Sequence, residues 1–169
     1  RGLLKTLKDA QLTSGHVTDL GCGSGIWAGI LENAGYAVHG IDLSPDMIEL
    51  ARQHAPGATF HVGAYLEAPI PPSIAVTAMG ECFNYVFDAN HSMEALSRFF
   101  ERVYNALDRD GLFIFDTAGP GYAEATGPHR RHFISDDWAV LVQVSEHKRS
   151  GQLTRYITAF RETEDGVYR

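Results

Sequence analysis

A glycine turn near the amino terminus constrains the fold of this chain more than any other feature. The apolar-leaning run 17–20 ends at alternating glycines, and the next run, 26–31, has the apolar spacing of a helix. The glycines are Gly21, Gly23 and Gly25. Glycine permits a positive φ and direct contact between ligand and backbone, and a helix that begins near residue 24 or 25 offers unpaired N–H groups. The segment therefore predicts a strand, a tight turn and a helix, with a ligand at the turn.

Two carboxylates accompany the turn. Asp19 lies two residues before Gly21. Asp42 follows the glycines by about 20 residues, where an acid at the end of a second strand accepts ribose hydroxyls. A carboxylate beside a turn that cradles a pyrophosphate would repel the phosphates, whereas it would attract an ammonium group. The pair predicts an adenosine-bearing ligand whose other end is cationic.

Two residues argue against the nicotinamide fingerprint, which also contains glycines. That fingerprint has a glycine at its sixth position, where this chain has Ile26. The negative charge of Asp19 is the second departure. A nicotinamide-dependent oxidoreductase is therefore the second interpretation. An ordinary turn with a solvated loop acid is the alternative that involves no ligand.

Two segments together resemble a known family. Residues 19–25, Asp-Leu-Gly-Cys-Gly-Ser-Gly, are similar to the first motif of the class I S-adenosylmethionine-dependent methyltransferases. Residues 40–47, Gly-Ile-Asp-Leu-Ser-Pro-Asp-Met, are similar to the second motif, in the same order and at matching spacing. The resemblance implies S-adenosylmethionine as the cofactor and methyl transfer to a small-molecule acceptor as the activity.

The resemblance also implies roles for individual residues. Asp19 would lie near the amino group of the cofactor, and Asp42 would hold its ribose. Leu43 and Met47 would border the adenine, although Met47 at helical spacing from Leu50 is equally expected in the core. The turn residues expected at the methionine part are Gly21, Cys22, Gly23 and Gly25.

The chain departs from the family after the third predicted strand. The family often has an acid there that accepts the adenine amino group, whereas this chain reads Gly63-Ala64-Tyr65. The adenine would then contact backbone groups at Ala64 or the side chain of Tyr65. The alternative for Tyr65 is a surface loop residue.

The residues after the fourth predicted strand, 80–85, are those that the resemblance places at the transferred methyl group. The amino-methyltransferase signature Asn-Pro-Pro-Tyr is absent, because Asn84 and Tyr85 are adjacent. This departure argues against DNA and protein-amide N-methyltransferases. Gly80 and Glu81 are expected at the cofactor, and Glu81 and Tyr85 are the weak catalytic candidates. The alternatives are that Glu81 caps a turn and that Tyr85 packs in the core.

No fixed catalytic constellation is expected, because methyl transfer from a sulfonium needs mainly alignment and exclusion of water. A general base is needed only for an acceptor that arrives protonated. His91, His129 and His132 are candidate bases, with solvated loop histidines as the alternative. No metal site is predicted. A cofactor-binding module without catalysis is the third interpretation.

Strands and helices alternate along the chain. This pattern predicts an α/β fold: a doubly wound, mostly parallel, Rossmann-like sheet of about seven strands with an antiparallel C-terminal hairpin. The predicted helices are 3–10, 26–34, 44–54 and 93–107, and the predicted parallel strands are 16–20, 36–41, 58–62, 74–79 and 112–116. The hairpin is predicted over 138–144 and 153–160, at the end of the same sheet.

The long connection 119–137 is rich in glycine and proline. It leaves the fifth strand at the edge where ligands bind, so we expect it, with Phe133 and Trp138, to select the acceptor. A mobile linker is the alternative.

Composition limits the class of protein. The 169 residues suit a single cofactor-binding domain, 1–169, and the first residue, Arg1, suggests truncation at one or both ends. The net charge of -7 disfavours a nucleic-acid partner. The two cysteines, Cys22 and Cys82, suit a reducing cytoplasm rather than a disulfide framework. No apolar run approaches the length of a membrane span.

Overall fold

The computed structural model describes residues 2–85, 92–122, 130–147, 149–163 and 167. These form two compact units, Arg1–Thr117 and Ala118–Arg169. The organisation of 1–169 as a single domain stays a prediction. None of the helices in the described ranges has both the length and the apolar character that crossing a bilayer requires.

The first unit is a five-stranded sheet with helices. Its strands are β1 (His16–Leu20), β2 (Ala37–Asp42), β3 (Thr59–Val62), β4 (Ser73–Ala78) and β5 (Leu107–Phe115). Its helices are α1 (Gly2–Asp9), α2 (Ile26–Asn33), α3 (Pro45–His54), a 3-10 turn (Cys82–Asn84) and α4 (Met93–Ala106). All strand pairings are parallel, in the order β3-β2-β1-β4-β5. The order reverses beside β1, and ligands of such sheets bind beyond the carboxyl ends of the strands at that point.

Local sequence explains where the helices begin. The Ser44 hydroxyl accepts a hydrogen bond from the Met47 N–H at 3.3 Å, and Pro45 occupies the first turn of α3. The Ser92 hydroxyl accepts from the Ala95 N–H at 3.1 Å at the start of α4. Both serines therefore cap their helices through the side-chain hydroxyl.

Two apolar clusters form the core of the first unit. One contains Val17, Val38 and Leu31 of α2, and the other contains Leu20, Ile41 and Phe99 of α4. Because side chains alternate across a strand, β1 supplies both clusters, as expected for a parallel strand with both faces covered. The core thus fixes the carboxyl ends of β1 and β2 next to each other.

The fifth strand differs from its prediction. It begins at Leu107 rather than at 112, so Asp110 and Gly111, which precede the predicted strand, lie inside it. The pairing with β4 shifts register between Ser73 and Ala75, and Asp110 has a φ of 65°. The left-handed residue therefore makes an irregularity within the strand instead of a turn before it.

The second unit is a separate antiparallel sheet. Its strands are β6 (Arg130–Ile134), β7 (Trp138–His147) and β8 (Gln152–Arg161), paired in that order. The hairpin β7–β8 is confirmed, but its expected place at the end of the main sheet is wrong. β6 lies within the predicted connection 119–137 and raises the strand count of the described residues to eight. The predicted fold class is otherwise confirmed.

Candidate functional site

The glycine turn has the backbone that only glycine adopts readily. Gly21, Gly23 and Gly25 have φ values of 64°, 52° and 77°. A Cβ on Gly21 would lie 2.5 Å from the Cys82 Sγ, and one on Gly25 would lie 2.7 Å from the Ala51 Cα. A Cβ on Gly23 would meet no described atom within 4 Å. Two glycines therefore allow close packing, and the third faces open space.

Asp42 connects the turn to the end of β2. Its Oδ2 accepts a hydrogen bond from the Gly23 N–H at 2.8 Å, and its Oδ1 accepts from the Ser44 N–H at 2.9 Å. An ionised carboxylate has about four acceptor positions. Asp42 can therefore hold the turn and still accept hydroxyl donors.

Asp19 lies at the end of β1 and is 3% exposed. The Thr77 hydroxyl donates to Asp19 Oδ1 at 2.7 Å. Burial raises the pKa of Asp19 to about 7, the Thr77 hydrogen bond opposes that rise, and the negative charge of Asp42 adds to it. A cation beside Asp19 would stabilise its charged form.

Leu43 and Met47 lie beside Asp42 and are 54% and 42% exposed. The core alternative for Met47 is therefore wrong, and Leu50 is also 42% exposed. Exposed apolar side chains at this edge suit contact with a flat ring. Their predicted contact with adenine stays a prediction.

The segment after β3 is fixed by contacts at Gly63 and Tyr65. The Gly63 N–H donates to the Asp42 carbonyl at 2.9 Å. The Tyr65 ring packs against Phe83 and Phe99 with centroid distances of 5.5 and 5.2 Å, so it belongs to an aromatic cluster rather than to a surface loop. Ala64 is half-buried. The predicted adenine contacts of Ala64 and Tyr65 stay predictions.

Arg102 of α4 reaches the same segment and was missed by the sequence analysis. Its guanidinium donates to the carbonyl oxygens of Leu66 and Ala68. A planar guanidinium presents several donors in a fixed fork, which suits two carbonyls. No local motif marks Arg102, because its partners lie far away along the chain.

Asp116 organises the loop after β4, and it too was missed. Gly80 and Glu81 have φ values of 91° and 60°. Their backbone N–H groups both donate to Asp116 Oδ1, each at 2.8 Å. The signal that could have found Asp116 is its position directly after β5, at the same sheet edge as Asp19 and Asp42.

The alternatives for the two catalytic candidates fare differently. Glu81 does cap the 3-10 turn Cys82–Asn84, through its backbone carbonyl, which accepts from the Asn84 N–H at 2.9 Å, and, within the described structure, not through its side chain. Tyr85 is 42% exposed rather than buried in the core. Both side chains belong to the loop that Asp116 holds, and their catalytic roles stay predictions.

Both thiols are held in the protonated form. The Cys82 Sγ lies 3.5 and 3.2 Å from the carbonyl oxygens of Leu20 and Met79, so its single S–H can donate to either, and burial raises its pKa to about 11. Burial also raises the pKa of Cys22. Neither thiol is therefore suited to nucleophilic attack.

The remaining candidates belong to the second unit or fall outside the described residues. His91 and His129 fall outside the described residues, and His132 lies in β6 of the second unit. Phe133 and Trp138 are exposed on one face of the small sheet, because Phe133 pairs with the residue two positions after Trp138. Trp138 also lines a cavity of about 430 Å³ within the second unit. The described residues contain no cluster suited to a metal ion.

The first unit fits the predicted cofactor. The turn offers a buried carboxylate for an ammonium group, a second carboxylate for ribose hydroxyls, and open space beside Gly23. A Cβ on Gly80 would likewise meet no described atom within 4 Å. Residues from β1, β2 and β4 thus converge at one edge of the sheet.

Comparisons with known proteins agree with this geometry. A family described as "Methyltransferase domain" matches residues 17–111. The 18S rRNA (guanine-N(7))-methyltransferase bud23 of Schizosaccharomyces pombe is 31% identical over 64% of this chain and 42% of its own length. The ubiquinone biosynthesis O-methyltransferase of Paraburkholderia phymatum is 28% identical over 81% of this chain and 62% of its own length.

A solved structure shows the same fold. It is an S-adenosylmethionine-dependent methyltransferase from Clostridium acetobutylicum, with a TM-score of 0.76 at 19% identity, over 99% of this chain and 68% of that one. This chain spans less than two thirds of the length of the curated relatives that it matches. Because the family match covers more than half of the residues, the chain belongs to the methyltransferase domain family, and its resemblance to the class I S-adenosylmethionine-dependent methyltransferases is confirmed.

Proposed function

We propose that this chain binds S-adenosylmethionine at the glycine turn and transfers its methyl group to a small-molecule acceptor. One observation carries the proposal: the carboxylates of Asp19 and Asp42 lie at the carboxyl ends of β1 and β2, and Asp42 is hydrogen-bonded to the turn itself. This arrangement supplies acceptors for an ammonium group and for a ribose from two adjacent strands.

In this proposal, different residues bind different parts of the cofactor. Asp19 receives the ammonium group, and the open side of Gly23 and Gly80 leaves room for the amino-acid part. Asp42 accepts the ribose hydroxyls. Leu43 and Met47 cover the adenine from the exposed edge of the sheet.

The bound cofactor supplies an electrophilic methyl group on a sulfonium. The protein's contribution is alignment, because holding two reacting groups in near-attack geometry can supply roughly 7 to 11 kcal/mol. The loop 80–85 has this task, with Glu81 and Tyr85 facing the acceptor. Glu81 would accept a proton from an acceptor that arrives protonated, and Tyr85 would donate a hydrogen bond to it or stack on it.

The acceptor is proposed to be small rather than a nucleic acid. The net charge of -7 does not favour a phosphate backbone. A relative named as an O-methyltransferase of ubiquinone biosynthesis supports a small acceptor, whereas one named as an 18S rRNA methyltransferase supports RNA. The negative net charge supports the small acceptor, which we therefore propose. We also propose a cytoplasmic location from the cysteine usage.

Calorimetry with S-adenosylhomocysteine tests the cofactor site. We expect binding to the unmodified protein and at least tenfold weaker binding to Asp42→Asn, since a charge-assisted hydrogen bond contributes about 1.5 to 3 kcal/mol. Glu49→Gln, a change at an exposed acid of α3, is the matched control and should bind normally. Absence of binding to the unmodified protein would refute the proposal.

Labelled S-adenosylmethionine tests the reaction. The protein is incubated with a panel of amines, phenols and sugars, and separately with ribosomal RNA. Label on a small molecule supports the proposed acceptor class, whereas label on RNA alone refutes it. Cofactor binding without transfer to any acceptor would favour the non-catalytic module, which the missing acid at Ala64 also suggests.

A further inference from the structure

A hydrogen-bond chain crosses from α2 through β4 to β1 behind the glycine turn. The Trp27 Nε1 donates to the Thr77 Oγ1 at 3.2 Å, and the Thr77 Oγ1 donates to the Asp19 Oδ1 at 2.7 Å. Asp19 and Thr77 are direct neighbours in the β1–β4 register, so their side chains share one face of the sheet. Thr77 is fully buried, and it is 58 residues from Asp19 along the chain.

The chemistry of the three groups fixes the direction of this chain. An indole N–H is only a donor, so the Thr77 oxygen must accept from Trp27. When Asp19 is ionised, the single hydroxyl proton of Thr77 then points to its carboxylate, which is only an acceptor. These two hydrogen bonds fix the orientation of the Thr77 hydroxyl, and the hydroxyl in turn fixes the position of Asp19 Oδ1.

The Thr77 hydroxyl is the only hydrogen-bond donor to Asp19 in the part of the chain that the structure describes. It occupies Oδ1, which leaves Oδ2 for a further partner. Removing a donor from a buried carboxylate makes its charge costly. The charged form of Asp19 therefore depends on Thr77 until a cation binds beside it.

We propose that Thr77, oriented by Trp27, is a positioning residue that aims Asp19 at the ammonium end of the cofactor and thereby sets affinity for its amino-acid half alone. This inference rests on the proposed cofactor site. It adds to that site a pair of residues, one on β4 and one on α2, that touch no reacting atom.

Other charged and titratable groups near Asp19 define the background of the test. Asp42 on β2 adds a negative charge, and the thiols of Cys22 and Cys82 also interact with Asp19. Burial raises the pKa of both thiols, to about 11 for Cys82, so they stay protonated near neutral pH. Asp19 is therefore the group near the Thr77 hydroxyl whose protonation changes near pH 7, and loss of the Thr77 hydrogen bond should shift its pKa.

Two ligands distinguish binding of the amino-acid part of the cofactor from binding of its nucleoside part. S-adenosylhomocysteine carries the amino-acid part, and 5′-methylthioadenosine lacks it. Calorimetry measures both with the unmodified protein and with Thr77→Val, Thr77→Ser and Trp27→Phe, from pH 6 to pH 8.5. Valine keeps the shape of threonine without its hydroxyl, serine keeps the hydroxyl, and phenylalanine removes the indole donor.

We expect Thr77→Val to weaken S-adenosylhomocysteine about tenfold at pH 7 and to leave 5′-methylthioadenosine within about twofold. The pH at which S-adenosylhomocysteine binding reaches half its maximal strength should rise by about one unit, since Asp19 loses the donor that favours its charged form. Thr77→Ser should restore most of the affinity. Trp27→Phe should have a smaller effect in the same direction.

Three outcomes would overturn the inference or its basis. Unchanged S-adenosylhomocysteine binding and pH profile in Thr77→Val would refute the role of Thr77. Equal loss of both ligands in Thr77→Val without rescue by Thr77→Ser would assign Thr77 to the fold alone. No binding of either ligand to the unmodified protein would instead refute the proposed cofactor site.

Discussion

Asp116 holds Glu81 in a left-handed backbone conformation. The Glu81 N–H donates to the Asp116 Oδ1 at 2.8 Å, and the φ of Glu81 is 60°. The same oxygen binds the Gly80 N–H, so one carboxylate from the end of β5 fixes two consecutive residues after β4. A residue other than glycine in this conformation is strained, and such strain tends to occur at functional sites.

Substitution of Asp116 should therefore affect methyl transfer more than cofactor binding. Asp116→Ala removes the acceptor of two N–H groups, and we expect a loss of about 1 to 3 kcal/mol of stability and at least tenfold in kcat. Asp116→Asn keeps an acceptor oxygen and should lose less of both. Chemical denaturation and a transfer assay measure the two effects. Equal kcat values for Asn, Ala and the unmodified protein would contradict a role for this contact in the reaction.

Two substitutions of Glu81 distinguish the effect of its strained backbone from the effect of its carboxylate. Glu81→Gly should relieve the left-handed strain and raise the free energy of unfolding by about 1 kcal/mol. The same variant should lower kcat if the carboxylate faces the acceptor. Glu81→Gln keeps the strain and serves as the control. A variant Glu81→Gly with full activity would exclude the side chain from catalysis.

Two glycines of the turn should respond differently to alanine. Gly21→Ala places a Cβ 2.5 Å from the Cys82 Sγ, and we expect a loss of roughly 2 to 4 kcal/mol. Gly23→Ala meets no described atom within 4 Å, so only the left-handed backbone costs stability, about 1 to 2 kcal/mol. Gly23→Ala should nevertheless weaken S-adenosylhomocysteine, because its methyl group enters the open space beside Asp42.

A double variant checks the origin of the first effect. Cys82→Ala removes the sulfur that the new Cβ would meet, so Gly21→Ala should cost less in that background. The free energy of unfolding of the four proteins in this cycle measures the coupling. Additive effects would show that the clash with Cys82 does not cause the loss.

Asp19 should make the ligand-free protein less stable as pH rises. Its pKa is about 7 in the folded protein and 3.8 in the reference state, so the folded state binds more protons between these values. Stability from this group is therefore lost as pH rises from about 4 to about 7. Asp19→Asn should remove this loss and raise the free energy of unfolding above pH 7 by about 2 to 4 kcal/mol. Thermal unfolding at several pH values measures it, and an unchanged profile would contradict the burial argument.

His16 and His39 should act in the opposite direction. Burial lowers the pKa of both, and the charges of His16 and His61 lower that of His39 further. The folded state then binds fewer protons than the unfolded state, so stability is lost as pH falls below about 6.5. Their rings lie 6.4 Å apart. A variant with both residues changed to Gln should keep a higher Tm at pH 5.5, relative to its value at pH 8, than the unmodified protein does.

Arg102 should control the nucleoside half of the cofactor. Arg102→Met removes both donors to the segment after β3, and we expect 5′-methylthioadenosine and S-adenosylhomocysteine to weaken together, about three- to tenfold. Arg102→Lys cannot reproduce the planar fork and should restore only part of the affinity. Loss of S-adenosylhomocysteine binding alone would contradict this assignment.

Features encoded in short segments could be predicted from the sequence. Ser44 and Ser92 mark helix starts by local capping chemistry, and the glycines of the turn need a backbone that other residues avoid. Asp42 was found because the strand-helix-strand spacing is regular. The caps and the turn depend on close neighbours, and Asp42 depends on the length of one strand-helix-strand unit, so periodicity and spacing are enough to identify them.

Hydrogen bonds between residues that are distant along the chain could not be predicted. Thr77, Arg102 and Asp116 act through residues that are 58, 34 to 36 and 35 to 36 positions away, and none of them belongs to a local motif. β6 was missed for another reason. All five of its residues are exposed, so it lacks the alternation of buried and exposed positions that marks a strand.

The two backbone hydrogen bonds of Asp42 have a consequence for the kinetics of cofactor capture. Because the carboxylate is anchored on both sides, the turn and the end of β2 reach their binding geometry when the protein folds. A nucleoside that binds at the proposed site would not have to immobilise them, so less conformational entropy would be lost on association. Capture at this half of the site should then be limited by diffusional encounter rather than by rearrangement of the chain.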